Sequence, residues 1–483
     1  MADARRWLWE RRRRLLAAAL ALTAVAAALA FRLYVVAGWH ASAGDGLQYF
    51  DLSQSLLRDH RLAFAADKPL QYSRLPGYPL FLAAVVHRTP IELHEHLWRA
   101  AQANALLDVA SALLVMLMVR RRFGLGAAWA AFVAVIVCPM LLFMSTYGLA
   151  ESLATFLTTL TIFCALRAGW GWAVAAGVAC GLLQLVRIDG FAVLLPVALA
   201  LWLGARTWRQ RLRRGALFGV AAALVFAPWP IRNYKEFGAP HFEGTAWMRQ
   251  DGQPLPLGMM RWMRSWGTGA WGQDFPLLKV ANDGYLTVTR GGIILPVMYD
   301  SEAERARIVD LFERYNKIGL VPAVDAEFDK LADERRARAP FRYWVVLPLH
   351  RFVAEWTPMP EWELPVRSRI LHLPAWRKAY DVFERLLFAL AFVGALAMWR
   401  RDRHLVAVIV AVVGARAGLH AMAHPFPVER YMVESLPAMM ALAGAAVAFA
   451  AERALRRWIP AGERARDQRQ AILPPEEVVA DAK

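Results

Sequence analysis

Arg11-Arg12-Arg13-Arg14, followed without a break by the apolar run Leu15–Val36, decides the fold. Residues 1–14 hold six Arg. The run behind them has about the 20 residues a helix needs to cross a bilayer. Arg ahead of an apolar run also fits a secretory signal, and Ala41-Ser42-Ala43 resembles a cleavage site. Signal cores run to about 7–15 residues, however, and this one is longer. It reads as a retained first helix with its N-terminus in the cytoplasm, which puts Asp45 on the outer side.

The same pattern recurs along the chain. Of its 483 residues 58% are hydrophobic and 20% charged, with a mean hydropathy of +0.31. Soluble domains stand nearer 45–50% and about 25%. In lipid every backbone group must be paired internally, so a helix or a closed barrel is required. Apolar runs without period-two alternation choose helices. The net charge of +17 would suggest nucleic acid in a soluble protein. Here the Arg groups fall between apolar runs, where cytoplasmic loops would lie, so no nucleic-acid partner is expected. Twenty Trp fit an interfacial belt. Cys138, Cys164 and Cys180 all lie in apolar runs without metal-ligand spacing and read as small core- or lipid-facing residues.

Further spans are expected at 97–119, ending on Arg120-Arg121-Arg122, at 126–143, and from Glu151 to near Arg167. Residues 171–205 are two short spans hinged at Arg187-Ile188-Asp189-Gly190, or a re-entrant pair. They lead to five Arg between Arg206 and Arg214. Spans at 215–229, 386–399, 405–421 and 432–450 complete a total of about ten. With that parity every strong Arg cluster is cytoplasmic and the acidic and Pro/Trp loops are outside.

The expected organisation is an N-terminal transmembrane catalytic module over 1–232, with a first outer loop at 38–96. An extracytoplasmic segment (233–382), C-terminal transmembrane helices (383–451) and a cytoplasmic tail (452–483) follow. In the first outer loop, 77–86 is half a span and reads as an interfacial or buried helix. Residues 244–292 read as irregular or short-strand structure, 301–356 as helical, and 343–356 as amphipathic. The tail after Pro460 reads as disordered. No repeat supports an inverted-repeat transporter.

Five outer elements carry the chemistry: Asp45; Arg74 within Tyr72–Pro79; Glu151; Arg232-Asn233; and His424 to Tyr431, with Arg430. Ionisable groups at membrane ends default to function. Acids serve as general base or metal ligand, and Arg forks suit phosphate. That set is what a reaction between a phosphate-linked lipid and a hydroxyl acceptor needs. Plainer readings stand beside it. Asp45 fits a helix N-cap, Glu151 a first helical turn, and Arg74, Arg232 and Arg430 interfacial anchors. Arg187 and Asp189 read as a local ion pair at a hinge, and His420 and His424 as polar helix-end residues.

The layout resembles the GT-C glycosyltransferases, in particular the bacterial branch akin to protein O-mannosyltransferases and lipid A aminoarabinose transferases. The residues that carry the resemblance are Gly44-Asp45 with Tyr49; Arg74-Leu75-Pro76-Gly77-Tyr78-Pro79; and Glu151 at a helix start. Pro228-Trp229-Pro230-Ile231-Arg232-Asn233-Tyr234 with Phe237-Gly238, and Arg430-Tyr431 with Pro437, complete it. The resemblance covers 1–240 well, the last helices moderately, and 241–380 not in detail.

It implies an all-α polytopic GT-C-like bundle of about ten helices, with amphipathic helices in the first outer loop and a mixed extracytoplasmic segment. It also implies sugar transfer from a polyprenyl-phosphate donor on the outer face of a bacterial inner membrane. The acceptor would be a hydroxyl on an envelope glycan, lipid or protein. Asp45 would be the base or acceptor-orienting acid. Arg74, Arg232 and Arg430 would hold the donor phosphate, with Tyr49, Tyr78, Asn233 and Tyr431 around the substrate.

Many relatives carry two adjacent acids where this chain has Asp45-Gly46, so Glu151 or Asp51 would supply the second. Some relatives hold a divalent metal, but no diagnostic ligand set stands here and no cofactor is assigned. Competing readings are a transporter or flippase of a lipid-linked substrate, which needs mid-membrane charge, and a non-catalytic lipid-binding scaffold.

Overall fold

The computed structural model describes residues 2–38, 44–65, 67–240, 242, 257–268, 279–280, 286–287, 296–319, 321–356, 374–425, 427 and 429–458. Its first helices are α1 (Ala2–Gly38), α2 (Gly44–Asp59), α3 (Gly77–Val86), α4 (Leu93–Val137), α5 (Pro139–Ser145) and α6 (Glu151–Ala165). Next come α7 (Trp170–Val186), a 3-10 segment (Ile188–Val193), α8 (Leu194–Leu203), α9 (Trp208–Phe226) and α10 (Pro228–Phe237). Then follow α11 (Leu257–Arg264), α12 (Glu302–Ile318), α13 (Pro322–Arg338), a π-helical turn (Arg342–Val346) and α14 (Leu347–Ala354). The chain closes with α15 (Pro374–Met398), α16 (Arg403–Ala423), a 3-10 segment (Glu429–Ser435) and α17 (Leu436–Trp458). The strands among the described residues are one antiparallel pair of two residues each, with Lys279 opposite Thr287 and Val280 opposite Leu286. This is a polytopic, helical membrane protein. Among the described residues five helical stretches are long and apolar enough to cross a bilayer, and four more apolar helices are shorter.

One of the five is two passes. Helix α4 is broken at Gly124, where φ is +88°, a value that L side chains rarely adopt. Arg32 of α1 reports the consequence. It donates to Asp108 Oδ2 and to Val135 O, both at 2.7 Å. In an unbroken helix those positions would lie about 40 Å apart, so the chain doubles back at Gly124. Arg32 and Asp108 are both buried. Each answers the other's charge, without which either would be costly inside the bundle.

The expected hinge at Arg187 is present. Arg187 leaves the helical region between α7 and the 3-10 segment, and α8 returns as a separate short apolar helix. Helix α7 packs on α9 at glycine. A Cβ on Gly177 would come within 2.4 Å of Phe218 O, and one on Gly181 within 2.7 Å of Ala222 O. Small residues there let two backbones approach, which supplies dispersion contact where lipid offers no hydrophobic drive. The seventh expected span runs on past Trp229, because α10 continues the helical path to Phe237. Residues 77–86 do form a helix, with Tyr78, Pro79, Leu82 and Val86 buried.

A second apolar core is built by residues between Met259 and Ala332. Fully buried Trp262 of α11 packs on Phe312 of α12 and Phe328 of α13, and fully buried Trp266 lies against Trp262. Asp325 caps α11 by accepting from the amides of Gly258 and Met259 at 2.9 Å each, satisfying two of the donors a helix start leaves open. Buried Arg351 of α14 ties this unit to the bundle. It donates to Gly267 O at 2.8 Å and to Ala421 O of α16 at 3.1 Å. The surface over 341–353 alternates exposed Phe341, Trp344, Leu349 and Val353 with buried Tyr343 and Leu347, as an amphipathic stretch does. Most of 244–292 and the tail from 459 on, read from sequence as irregular and disordered, lie outside the described residues.

Candidate active site

Asp45 stands in the first turn of α2, where the helix dipole favours a carboxylate. Gln48 and Tyr49 follow at i+3 and i+4, so all three share one face. Arg74 meets that face. Its Nη2 donates to Asp45 Oδ1 at 2.5 Å and its Nε to Gln48 Oε1 at 2.7 Å. Its guanidinium lies 5.6 Å from the Tyr49 ring centre. Tyr49 in turn sits edge-on to fully buried Tyr78, with centroids 4.9 Å apart. Tyr78 is therefore the floor beneath the site.

Arg74 is carried on a strap of chain without regular structure, which one glutamine fixes. The Gln71 amide donates to Leu62 O at 2.9 Å, and its side-chain oxygen accepts from the Arg74 amide at 2.9 Å. Its carbonyl accepts from Arg232 Nη1 at 2.9 Å. Arg232 also donates to Asn233 Oδ1 at 2.8 Å and stacks over Trp229 and Phe237. The Tyr72 ring meets Phe237 at 4.9 Å. Among the described residues, no hydrogen bond or ion pair joins Arg232 to the acids, and its contacts place it behind the strap. Asn233 is fully buried there.

From Asp45 a continuous array of charge runs into the bundle. Arg430 donates to Asp45 Oδ2 at 3.2 Å and lies 3.9 Å from Glu151. Glu151, in the first turn of α6, accepts from Arg187 at 3.0 Å. Arg187 also donates to Asp189 at 3.0 Å and lies 3.1 Å from Glu434. Arg416 of α16 closes the array on Asp189 at 2.7 Å and Glu434 at 2.8 Å, while His420 lies 3.0 Å from Asp189. Tyr431 is the aromatic centre. Its ring stacks on His420 at 4.8 Å, and the Arg187 and Arg430 guanidiniums lie 4.9 and 5.4 Å away. Four carboxylates thus interleave with four guanidiniums.

Exposure separates them. The Asp45 side chain is 29% exposed, against 3% for Glu151, 9% for Asp189 and 0% for Glu434. Burial pushes the Asp45 carboxyl up, but Arg74 and Arg430 together outweigh it and hold the group below its ordinary value. Asp51 faces solvent, off the Asp45 face of α2, and burial alone raises it. Of the sequence candidates, Asp45, Glu151, Tyr49, Arg74, Arg430 and Tyr431 come together, Tyr78 underlies them, and Arg232 and Asn233 stand behind the strap. The hinge pair Arg187–Asp189 is more than local, since it joins α6 to α16 and to the 429–435 segment. Arg416 and Glu434 were missed, although charges inside apolar runs are the signal that finds them. Among the described residues no group of three or more His, Cys, Asp or Glu side chains is placed to hold a metal ion, and arginine already engages each of the four acids.

No curated protein matches the sequence. Among solved structures, the chain is similar to ArnT from Cupriavidus metallidurans, at 18% identity over 89% of this chain and 77% of that one, with a TM-score of 0.41. It is also similar to a form of that protein bound to undecaprenyl phosphate, at 18% identity over 90% and 78%, TM-score 0.41. A third is the archaeal oligosaccharyltransferase AglB from Archaeoglobus fulgidus with an inhibitory peptide and a dolichol-phosphate, at 13% identity over 90% and 52%, TM-score 0.46. Residues 78–244, the stretch that holds Glu151, Arg187 and Asp189, match the model of the dolichyl-phosphate-mannose-protein mannosyltransferase family, and over that stretch the resemblance read from the sequence is borne out.

Proposed function

We propose that the protein transfers a sugar, a hexose or a pentose, from a polyprenyl-phosphate donor to a hydroxyl acceptor on the outer face of a bacterial inner membrane. One observation carries the reading. Asp45, the one network acid more than a tenth exposed, is held between two guanidiniums, Arg74 and Arg430. The family match over 78–244 supports a lipid-phosphate sugar donor.

Arg74 and Arg430 take the donor phosphate in place of Asp45. The acceptor oxygen attacks the anomeric carbon and the bond from that carbon to the phosphate oxygen breaks. The acceptor proton passes to Asp45. The leaving polyprenyl phosphate gains charge as the bond breaks, and fixed guanidiniums stabilise that charge without reorganising. A single displacement inverts the anomeric centre. Glu151, nearly buried and held by Arg187, keeps Arg430 aligned rather than meeting the acceptor. The acceptor is an envelope lipid, glycan or protein.

The test is incubation of purified protein with a panel of radiolabelled polyprenyl-phosphate sugars and envelope extract. One sugar should move to an acceptor. Asp45→Asn should insert normally and lose about 10²–10⁴ in rate, the usual share of a general base. Full activity in that variant removes Asp45 from the base role, and no transfer from any donor overturns the reading.

A further inference from the structure

At the opposite end of the helices from Asp45, basic side chains gather. Arg122, beside the α4 turn, pairs with Asp402 ahead of α16. Arg214 of α9 donates to Arg167 O at 2.7 Å and, more weakly, to Ala165 O at 3.4 Å. Those bonds occupy the last carbonyls of α6, which would otherwise present negative charge.

Between α4 and the α6–α7 turn lies a cavity of about 350 Å³, lined among others by Leu117, Arg121, Arg122, Arg167 and Trp172. None of its lining residues is acidic. Arg122 is neutralised by Asp402. Among the described residues Arg121 and Arg167 have no carboxylate partner. Arg167 is not loose, because its guanidinium lies 4.1 Å from the Phe163 ring centre and 4.8 Å from that of Trp172. Stacking of this kind fixes the plane and leaves the N–H edge to donate. Burial, and then the nearby Arg121, hold Arg167 below its ordinary value. Two like charges therefore face one space with nothing between them. The wall beside them is apolar and open, with Leu117 42% and Trp172 39% exposed.

We propose that this cavity binds the phosphate head group of an anionic phospholipid from the leaflet on the Arg-rich face, through Arg121 and Arg167. The lipid's acyl chains lie along Leu117 and Trp172. A phosphate diester supplies the charge that the cavity lacks, and planar guanidiniums match its oxygens. The apolar wall selects a lipid over a free anion. The site is separate from the Asp45 array and does not depend on the function proposed for it.

The full chain is purified into nanodiscs of phosphatidylcholine alone or with phosphatidylglycerol, and bound lipid is read by native mass spectrometry. Wild type should retain phosphatidylglycerol over phosphatidylcholine, and R121Q/R167Q should lose roughly 30-fold of that preference, the worth of two basic contacts. Arg121→Gln alone, at an exposed position that puts folding at no risk, should lose roughly fivefold. Arg120→Gln, outside the cavity, should lose nothing. Equal melting temperatures in phosphatidylcholine discs confirm that the variants are folded. Unchanged retention in both Arg121 variants overturns the proposal. Displacement of the lipid by millimolar inorganic phosphate also overturns it, since the site would then be one for free phosphate.

Discussion

Arg430 donates to Asp45 at 3.2 Å across 385 residues of chain. On the proposed function, a donor phosphate entering the site competes with that carboxylate for the same guanidinium. On that reading, binding of the donor and release of the base are one event.

Replacing Arg430 should accordingly damage the donor side and the chemistry together. Arg430→Gln is expected to raise KM for the polyprenyl donor and to lower kcat by about 10²-fold, the usual effect of losing one fixed donor to a developing charge. Arg430→Lys should restore only part, because a point-charge ammonium cannot hold the phosphate oxygens through a planar fork. Steady-state kinetics against donor concentration decide it, and a change in acceptor KM alone would contradict a donor-side role for Arg430.

The pH dependence should carry the same signature. In the free protein Asp45 sits below its ordinary carboxylate value, despite burial, because of Arg74 and Arg430. When the donor takes those guanidiniums, the carboxyl regains basicity. The acid limb of kcat, which reports the donor-bound state, should lie at higher pH than the acid limb of kcat/KM, which reports the free enzyme. For stability the sign is fixed: a depressed carboxyl contributes above its unfolded value and loses that contribution as pH falls through the folded one, below about pH 4. Coincident limbs would remove Arg release from the mechanism.

The inner half of the array is a matter of stability. Arg416 and Glu434 are both fully buried and 2.8 Å apart. Arg416→Met should cost about 3–5 kcal/mol, because it strands buried carboxylates. Arg416→Met with Glu434→Gln should cost clearly less than the two single changes added together. Thermal melts in detergent measure both, and strict additivity would mean that the pair is uncoupled.

Arg232 gives a different readout. If its part is to hold the strap through Gln71 O, Arg232→Ala should loosen residues 62–76 before it alters anything else. Hydrogen exchange across that strap should rise, whereas Gln71→Ala, which keeps that carbonyl and removes the side-chain bond to the Arg74 amide, should free the Arg74 end alone. Unchanged exchange with a raised donor KM would instead return Arg232 to the phosphate role that the sequence suggested.

The sequence exposed the rim of the site better than its centre. Asp45, Glu151 and Arg430 stand at helix ends, where a charge is conspicuous and parity says which side it faces. Arg187–Asp189 was visible, but adjacency in sequence made the pair read as local. Its longer contacts depend on how α6 and α16 pack, and no spacing encodes that. Arg416, Glu434 and the Arg32–Asp108 pair lie inside apolar runs, where averaging over a window hides one charge among some twenty neighbours. Arg232 has a partner of another kind. It flanks a span beside the candidate site, yet a backbone carbonyl takes its guanidinium, and side-chain identity alone cannot foresee a backbone partner. The turn at Gly124 was placed by the Arg cluster before it, which is why the fold-back of α4 was legible.

Arg32 has a history as well as a position. Its partner Asp108 is made 76 residues later, and Val135 later still. At roughly 5–20 residues per second of synthesis, the first helix enters the membrane several seconds before anything exists to neutralise it. Its place is settled only when the hairpin of α4 arrives, so this span is completed after the two passes that follow it rather than before them.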